Sequence, residues 1–190
     1  MIAKVLQPKN LYKAYRKVVS NKGSAGVDGM GVEKLREYID EHRNDIVLGI
    51  LKDKYIPSAI KGVEIPKETG GERLLGVPTV VDRWLQQAVS QQLMTKFELN
   101  FSTHSYGFRP KKNLQQAVQQ SLAYINDGYQ DIVDIDLKRF FDEVEHYKIL
   151  QLIYDKVKCQ QTLRLIRKWL QAPMLVKGKL VRRRIRSTAR

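Results

Sequence analysis

The sequence predicts an α+β fold in which helices dominate. Three observations point there. Apolar residues recur at helical spacing over most of the 190 residues. Two strand-like runs, 59–66 and 72–79, flank Lys67-Glu68-Thr69-Gly70-Gly71, a turn with hairpin chemistry. Further strand-like runs lie at 131–136 and from Met174 onward. With 43% hydrophobic residues the chain can bury a core, in one domain or two small lobes.

Taken in order, Leu11, Tyr15, Val18 and Val19 mark a first helix, with Asn10 as its cap and an end before Gly23. Ser24-Ala25-Gly26-Val27-Asp28-Gly29 reads as a loop, because Gly and Asp tolerate unusual backbone angles. Leu35, Ile39, Ile46 and Ile50 mark a second helix, and Pro57 closes that region. After the hairpin, Thr79 caps a long helix, with Asp82 three residues on as in a capping box. Val81, Leu85, Val89 and Leu93 form its apolar face. A further helix spans Asn113 to Asn126 and stops at Gly128. Ile132, Val133 and Ile135 then favour strand, although Asp131, Asp134 and Asp136 are unusual there. Helices follow at about 146–158 and 160–171, then a strand, a turn at Lys177-Gly178 and a basic strand or tail. No internal repeat or low-complexity linker appears.

Lys and Arg number 34 against 20 Asp and Glu, a net charge of +14 with a pI near 9.9. So large an excess points to a polyanionic partner. No apolar run approaches the roughly 20 residues that span a bilayer, and no signal-peptide core opens the chain. The expectation is a soluble cytoplasmic nucleic-acid binder without a membrane partner. One cysteine, Cys159, excludes an internal disulfide and a cysteine-rich zinc site. His42, His104 and His146 lie far apart, without metal-ligand spacing.

The chemistry centres on Asp136-Leu137-Lys138-Arg139-Phe140-Phe141-Asp142. A carboxylate ending a hydrophobic strand can hold a hard divalent cation through oxygen. Nucleotidyl transfer uses two such ions about 4 Å apart, held by carboxylates from separate strands. On its own, Asp136 or Asp142 reads first as a cap of the next helix, ahead of a metal ligand.

Neighbouring segments change that balance. Residues 64–83 read Glu-Ile-Pro-Lys-Glu-Thr-Gly-Gly-Glu-Arg-Leu-Leu-Gly-Val-Pro-Thr-Val-Val-Asp-Arg, and 105–110 read Ser-Tyr-Gly-Phe-Arg-Pro. With the Gly26-Val27-Asp28-Gly29 loop and the Asp136 segment, their order and spacing resemble group II intron-encoded reverse transcriptases, also called maturases. The likeness spans about 20–180. It implies a right-hand polymerase: a fingers region at 1–128, helical with a β-hairpin, and a partial palm at 129–190, an incomplete sheet with packed helices.

It also implies roles. Asp136 matches the first catalytic, metal-binding aspartate, and Leu137 the residue whose backbone carbonyl helps hold the metal. Phe141 matches the aromatic beside the incoming sugar. Lys67 and Arg73 match the basic residues that grip the incoming triphosphate, a point charge and a planar fork suited to phosphate. Arg109 corresponds to a template or pocket contact, with bracing of the fingers as its structural alternative. The implied cofactor is magnesium, two ions in the full-length enzyme. The implied partners are intron and template RNA, a DNA primer and dNTP; homo-oligomerisation stays open.

Leu74 stands where many relatives have proline. Beyond Lys179–Arg184, relatives continue into Gly-x-Pro-Gln-Gly and Tyr-x-Asp-Asp, and neither occurs here. The expectation is therefore an N-terminal fragment of an RNA-directed DNA polymerase that is inactive alone. The alternative is a non-catalytic, maturase-like module that binds intron RNA. A retron or diversity-generating polymerase fits the Gly-Val-Asp-Gly and Ser-Tyr-Gly-Phe-Arg-Pro segments less well.

Overall fold

A computed structural model describes residues 1–66, 70–137 and 140–181, without the side chains of Phe141 and Asp142. Lys67 and the centre of the hairpin turn lie outside the described residues, as does the basic tail from Arg182. The chain forms two compact units, Met1–Leu93 with Glu145–Arg190, and Met94–Val144.

The first unit opens with α1 (Ile2–Val5) and α2 (Pro8–Ser20). Asn10 does not cap α2. Pro8 occupies the first helical turn, where its missing N–H costs nothing, so the helix begins earlier, behind Gln7. Asn10 is buried inside the helix instead. Its Nδ2 donates to the carbonyls of Val5 (2.8 Å) and Ala88 (3.0 Å), and its Oδ1 accepts from Gln91 (2.9 Å) and Gln92 (2.8 Å). One amide thereby fastens α2 to α4 (Val80–Phe97) with its polar atoms satisfied. α3 (Leu35–Leu51) contributes Leu35, Ile39 and Ile50 to the core, as its spacing predicts.

α4 is buried more widely than its expected face. Val80, Trp84 and Ala88 pack inward beside Leu85 and Val89, and Trp84 donates its indole N–H to the Leu11 carbonyl at 2.9 Å. Leu165 of α8 (Gln160–Gln171) joins this cluster, while α7 (His146–Val157) adds buried Leu150 and Val157. Helix α8 thus completes a core begun by the N-terminal helices.

The sheet has the order β2-β1-β3-β4, from β1 (Ile60–Pro66), β2 (Glu72–Val77), β3 (Met174–Val176) and β4 (Lys179–Val181). β1 and β2 are antiparallel, with Ile65 opposite Arg73 and Gly62 opposite Gly76. β3 runs parallel to β1, pairing Ile60 with Met174. A Cβ on Gly62 would lie 2.6 Å from the Val176 side chain, so the missing side chain lets β3 approach. Lys177 and Gly178 both have positive φ (48° and 78°), the signature of the two-residue turn expected there.

In the second unit, α5 (Leu114–Asn126) has Asn113 as N-cap and a full capping box with Gln116. Gly128 (φ 97°) follows its end. The strand expected at 131–136 is not formed. These residues have no regular secondary structure, and Ile132, Val133 and Ile135 are more than 80% exposed. β-branched composition suits a pleated surface, but a strand exists only with a ladder partner, and no described segment pairs here. α6 (Phe140–Glu143) is a single short turn.

Candidate nucleotide and template site

The Gly26-Val27-Asp28-Gly29 loop has a structural explanation. A Cβ on Gly26 would lie 2.7 Å from Thr79 Cα and 2.8 Å from Thr79 N, so only glycine lets the loop rest on the entrance to α4. Asp28 accepts from the Met30 backbone N–H at 3.2 Å, a local turn bond, and Gly29 takes φ 70°. Arg83 donates to the Ser24 carbonyl at 2.6 Å, and burial lowers its pKa.

The Asp82 carboxylate meets Thr79 through its hydroxyl, not through the backbone N–H that a capping box would use. It is 2% exposed and accepts four hydrogen bonds: from Tyr55 Oη (2.7 Å), Thr79 Oγ1 (2.9 Å), the Ser58 backbone N–H (3.0 Å) and Trp169 Nε1 (2.9 Å). Its backbone N–H donates to Thr79 Oγ1 at 3.2 Å. The approach to β1, the start of α4 and the end of α8 therefore meet on one carboxylate. Burial, and next Asp82 itself, push the Tyr55 phenol far above its ordinary pKa. The sequence signal for Asp82 was only its spacing from Thr79; Tyr55 and Trp169 carried none.

Arg73 lies exposed on β2 in the first unit, next to the turn that contains Lys67. Asp136, Leu137, Phe141 and Arg109 belong to the second unit. Asp136 is exposed, and its Oδ1 accepts from the Leu137 backbone N–H at 2.9 Å. Phe141 lies in α6. Arg109 is held on several sides. Its Nε (3.1 Å) and Nη2 (2.7 Å) donate to Glu98 Oε1, and Nη1 donates to the carbonyls of Ser102 and Ser105. Its guanidinium also lies 5.3 Å from the Phe101 ring centroid. These bonds brace the loop that carries Ser-Tyr-Gly-Phe-Arg-Pro.

Magnesium takes several oxygen ligands at near-ideal octahedral geometry. Asp136 supplies one carboxylate, and among the described residues no three or more His, Cys, Asp or Glu side chains converge. The described residues therefore do not by themselves fit a two-ion centre.

Residues 65–189 match the family described as reverse transcriptase (RNA-dependent DNA polymerase). The chain belongs to this family. Among curated relatives it is 32% identical over 180 residues to the group II intron-encoded protein LtrA of Lactococcus lactis subsp. cremoris, covering 90% of this chain and 28% of that protein. It is 30% identical over 179 residues to protein YkfC of Escherichia coli, covering 88% of this chain and 46% of that one. This reverse transcriptase chain thus spans less than half of either relative. A chain of the partial Cas6-RT-Cas1–Cas2 complex superposes with a TM-score of 0.61 at 19% identity, covering 95% of this chain and 29% of that chain. That likeness concerns the fold, helical with a β-hairpin and a partial sheet. Among the described residues no helix is long and apolar enough to cross a membrane.

Proposed function

We propose that this chain supplies the nucleotide-gripping hairpin and the first catalytic carboxylate of a cytoplasmic RNA-directed DNA polymerase. The observation that carries this reading is the family match over 65–189, which contains all six candidate residues. Lys67 and Arg73 hold the triphosphate of the incoming dNTP. The exposed place of Arg73 on β2 suits that task, since its guanidinium faces solvent rather than a core. Phe141 lies against the sugar. Asp136 and the Leu137 carbonyl would be this chain's share of the oxygen ligands for magnesium in an assembled enzyme, and the metal would supply Lewis-acid chemistry there. Arg109 acts through the loop it orders, placing its neighbours against template RNA. The family's fingers and palm, divided at 128/129, are the regions that carry these roles.

The chain alone extends no primer on RNA. Asp134 does not replace a second catalytic carboxylate: two residues apart on an extended segment is about 7 Å, and both stay on one stretch of backbone. Primer extension at high protein concentration, beside an Asp136→Ala control, tests this. Extension that vanishes in the control would show that a complete centre assembles from this chain or from two copies of it.

A second observation favours RNA binding without synthesis. Lys9, Lys13, Arg16 and Lys17 are exposed on the solvent side of α2, and no acidic residue precedes Asp28. Such a stripe suits the phosphates of intron RNA. Binding of a fluorescent dNTP in magnesium separates the readings. Arg73→Ala should weaken it by roughly tenfold or more, the scale of one charge-assisted bond. RNA binding with no dNTP binding would leave only the maturase-like role.

A further inference from the structure

Phe108 has φ 55°, a left-handed conformation that bulky residues rarely adopt, and its side chain is as exposed as in an extended chain, at 105%. Floppiness does not account for this. The same loop is held by the four donations from Arg109 to Glu98, Ser102 and Ser105. Lys112 fastens it again, donating to the Thr103 carbonyl at 3.0 Å while its ammonium lies 4.7 Å from the Tyr106 ring centroid. The Lys112 backbone N–H donates to the Arg109 carbonyl at 3.3 Å, closing a turn directly after Phe108. Lys111, exposed with φ 61°, sits within that turn. A braced loop therefore presents an aromatic ring to solvent, with the exposed Lys111 three residues further along it.

An exposed ring forgoes the stabilisation of burial, and a left-handed bulky residue costs backbone energy. Both persist only where the surroundings impose them, and such positions cluster at binding sites. An aromatic face for stacking next to cations for phosphate is the arrangement that single-stranded nucleic acid binds. We propose that Phe108 is a stacking platform for one unpaired nucleobase of an RNA strand, with Lys111 on the adjoining phosphate. This rests on the reading of the chain as an RNA-handling polymerase part, and assigns the contact to Phe108 rather than to the guanidinium of Arg109, whose donors serve the loop.

The test is fluorescence anisotropy of a short single-stranded RNA, compared with a base-free ribose-phosphate strand of the same length. Phe108→Ala should weaken RNA binding by roughly 5- to 100-fold, the range of one stacked base. Its dependence on salt should stay unchanged, because no phosphate contact is lost. Phe108→Trp should keep the affinity, and its indole fluorescence should change with RNA but not with the base-free strand. That second readout serves even if the alanine variant folds poorly. Equal affinity of Phe108→Ala for RNA, or an equal loss on the base-free strand, overturns the proposal. So does unchanged RNA binding with loss of self-association, which would make the ring a protein contact. A wild-type chain that binds no RNA would instead sink the polymerase reading itself.

Discussion

Asp82 shows how much can depend on one side chain. Four donors from three parts of the chain converge on a carboxylate that is 2% exposed. Asp82→Ala strands those donors away from water, and each buried unpaired donor costs about 1–3 kcal/mol. We expect a loss of at least about 3 kcal/mol in denaturant unfolding, with Asp82→Asn losing less because its carbonyl oxygen still accepts. A loss below about 1 kcal/mol would show that the cluster relaxes. Cys159 gives a second residue-scale outcome. Burial raises its pKa, but hydrogen bonds from Thr162 and the Ile2 backbone, with the positive charge of the N-terminus, outweigh that and bring it to about 7. Thiolate is the reactive form, so alkylation should rise with pH and level off above a midpoint near 7. A midpoint near the roughly 8.5 of a free thiol would contradict the geometry.

At the scale of elements, two glycines set how segments meet. Gly26 lets a loop lie on Thr79, and Gly62 lets β3 pair with β1. Gly26→Ala puts a methyl within 2.8 Å of backbone atoms that cannot rotate away. We expect it to cost about 1–3 kcal/mol, measured as a lower denaturation midpoint. A neutral effect would mean that the loop lifts freely from α4. Helices and hairpins were legible because their signals are local: the Asn113 cap, the Lys177-Gly178 turn and the spacing of Leu35, Ile39 and Ile50 are each contained in a few residues. Asn10 misled because Asn suits a helix cap and a buried cross-link equally, and only Pro8 and the carbonyl of Ala88 decide between them. The run 131–136 misled for a related reason: strand composition is local, but a strand is a pairing.

For the whole molecule, the net charge of +14 dominates. RNA binding should weaken steeply between 50 and 200 mM salt, since each phosphate neutralised releases counterions. Lys13→Glu with Lys17→Glu should lower the salt slope, whereas Phe108→Ala should not. Binding indifferent to salt would count against a polyanion surface.

The family, most of the helices and the hairpin can be read along the chain. Those follow from motif order, apolar period and turn chemistry, all of which are written along the chain. Where the polar groups end depends on packing: Asp82 on Tyr55 and Trp169, Asn10 on α4, Arg109 on its own loop. Hydrogen-bond partners far apart in sequence leave no periodic trace, because a donor needs only to arrive within about 3 Å, from any distance along the chain.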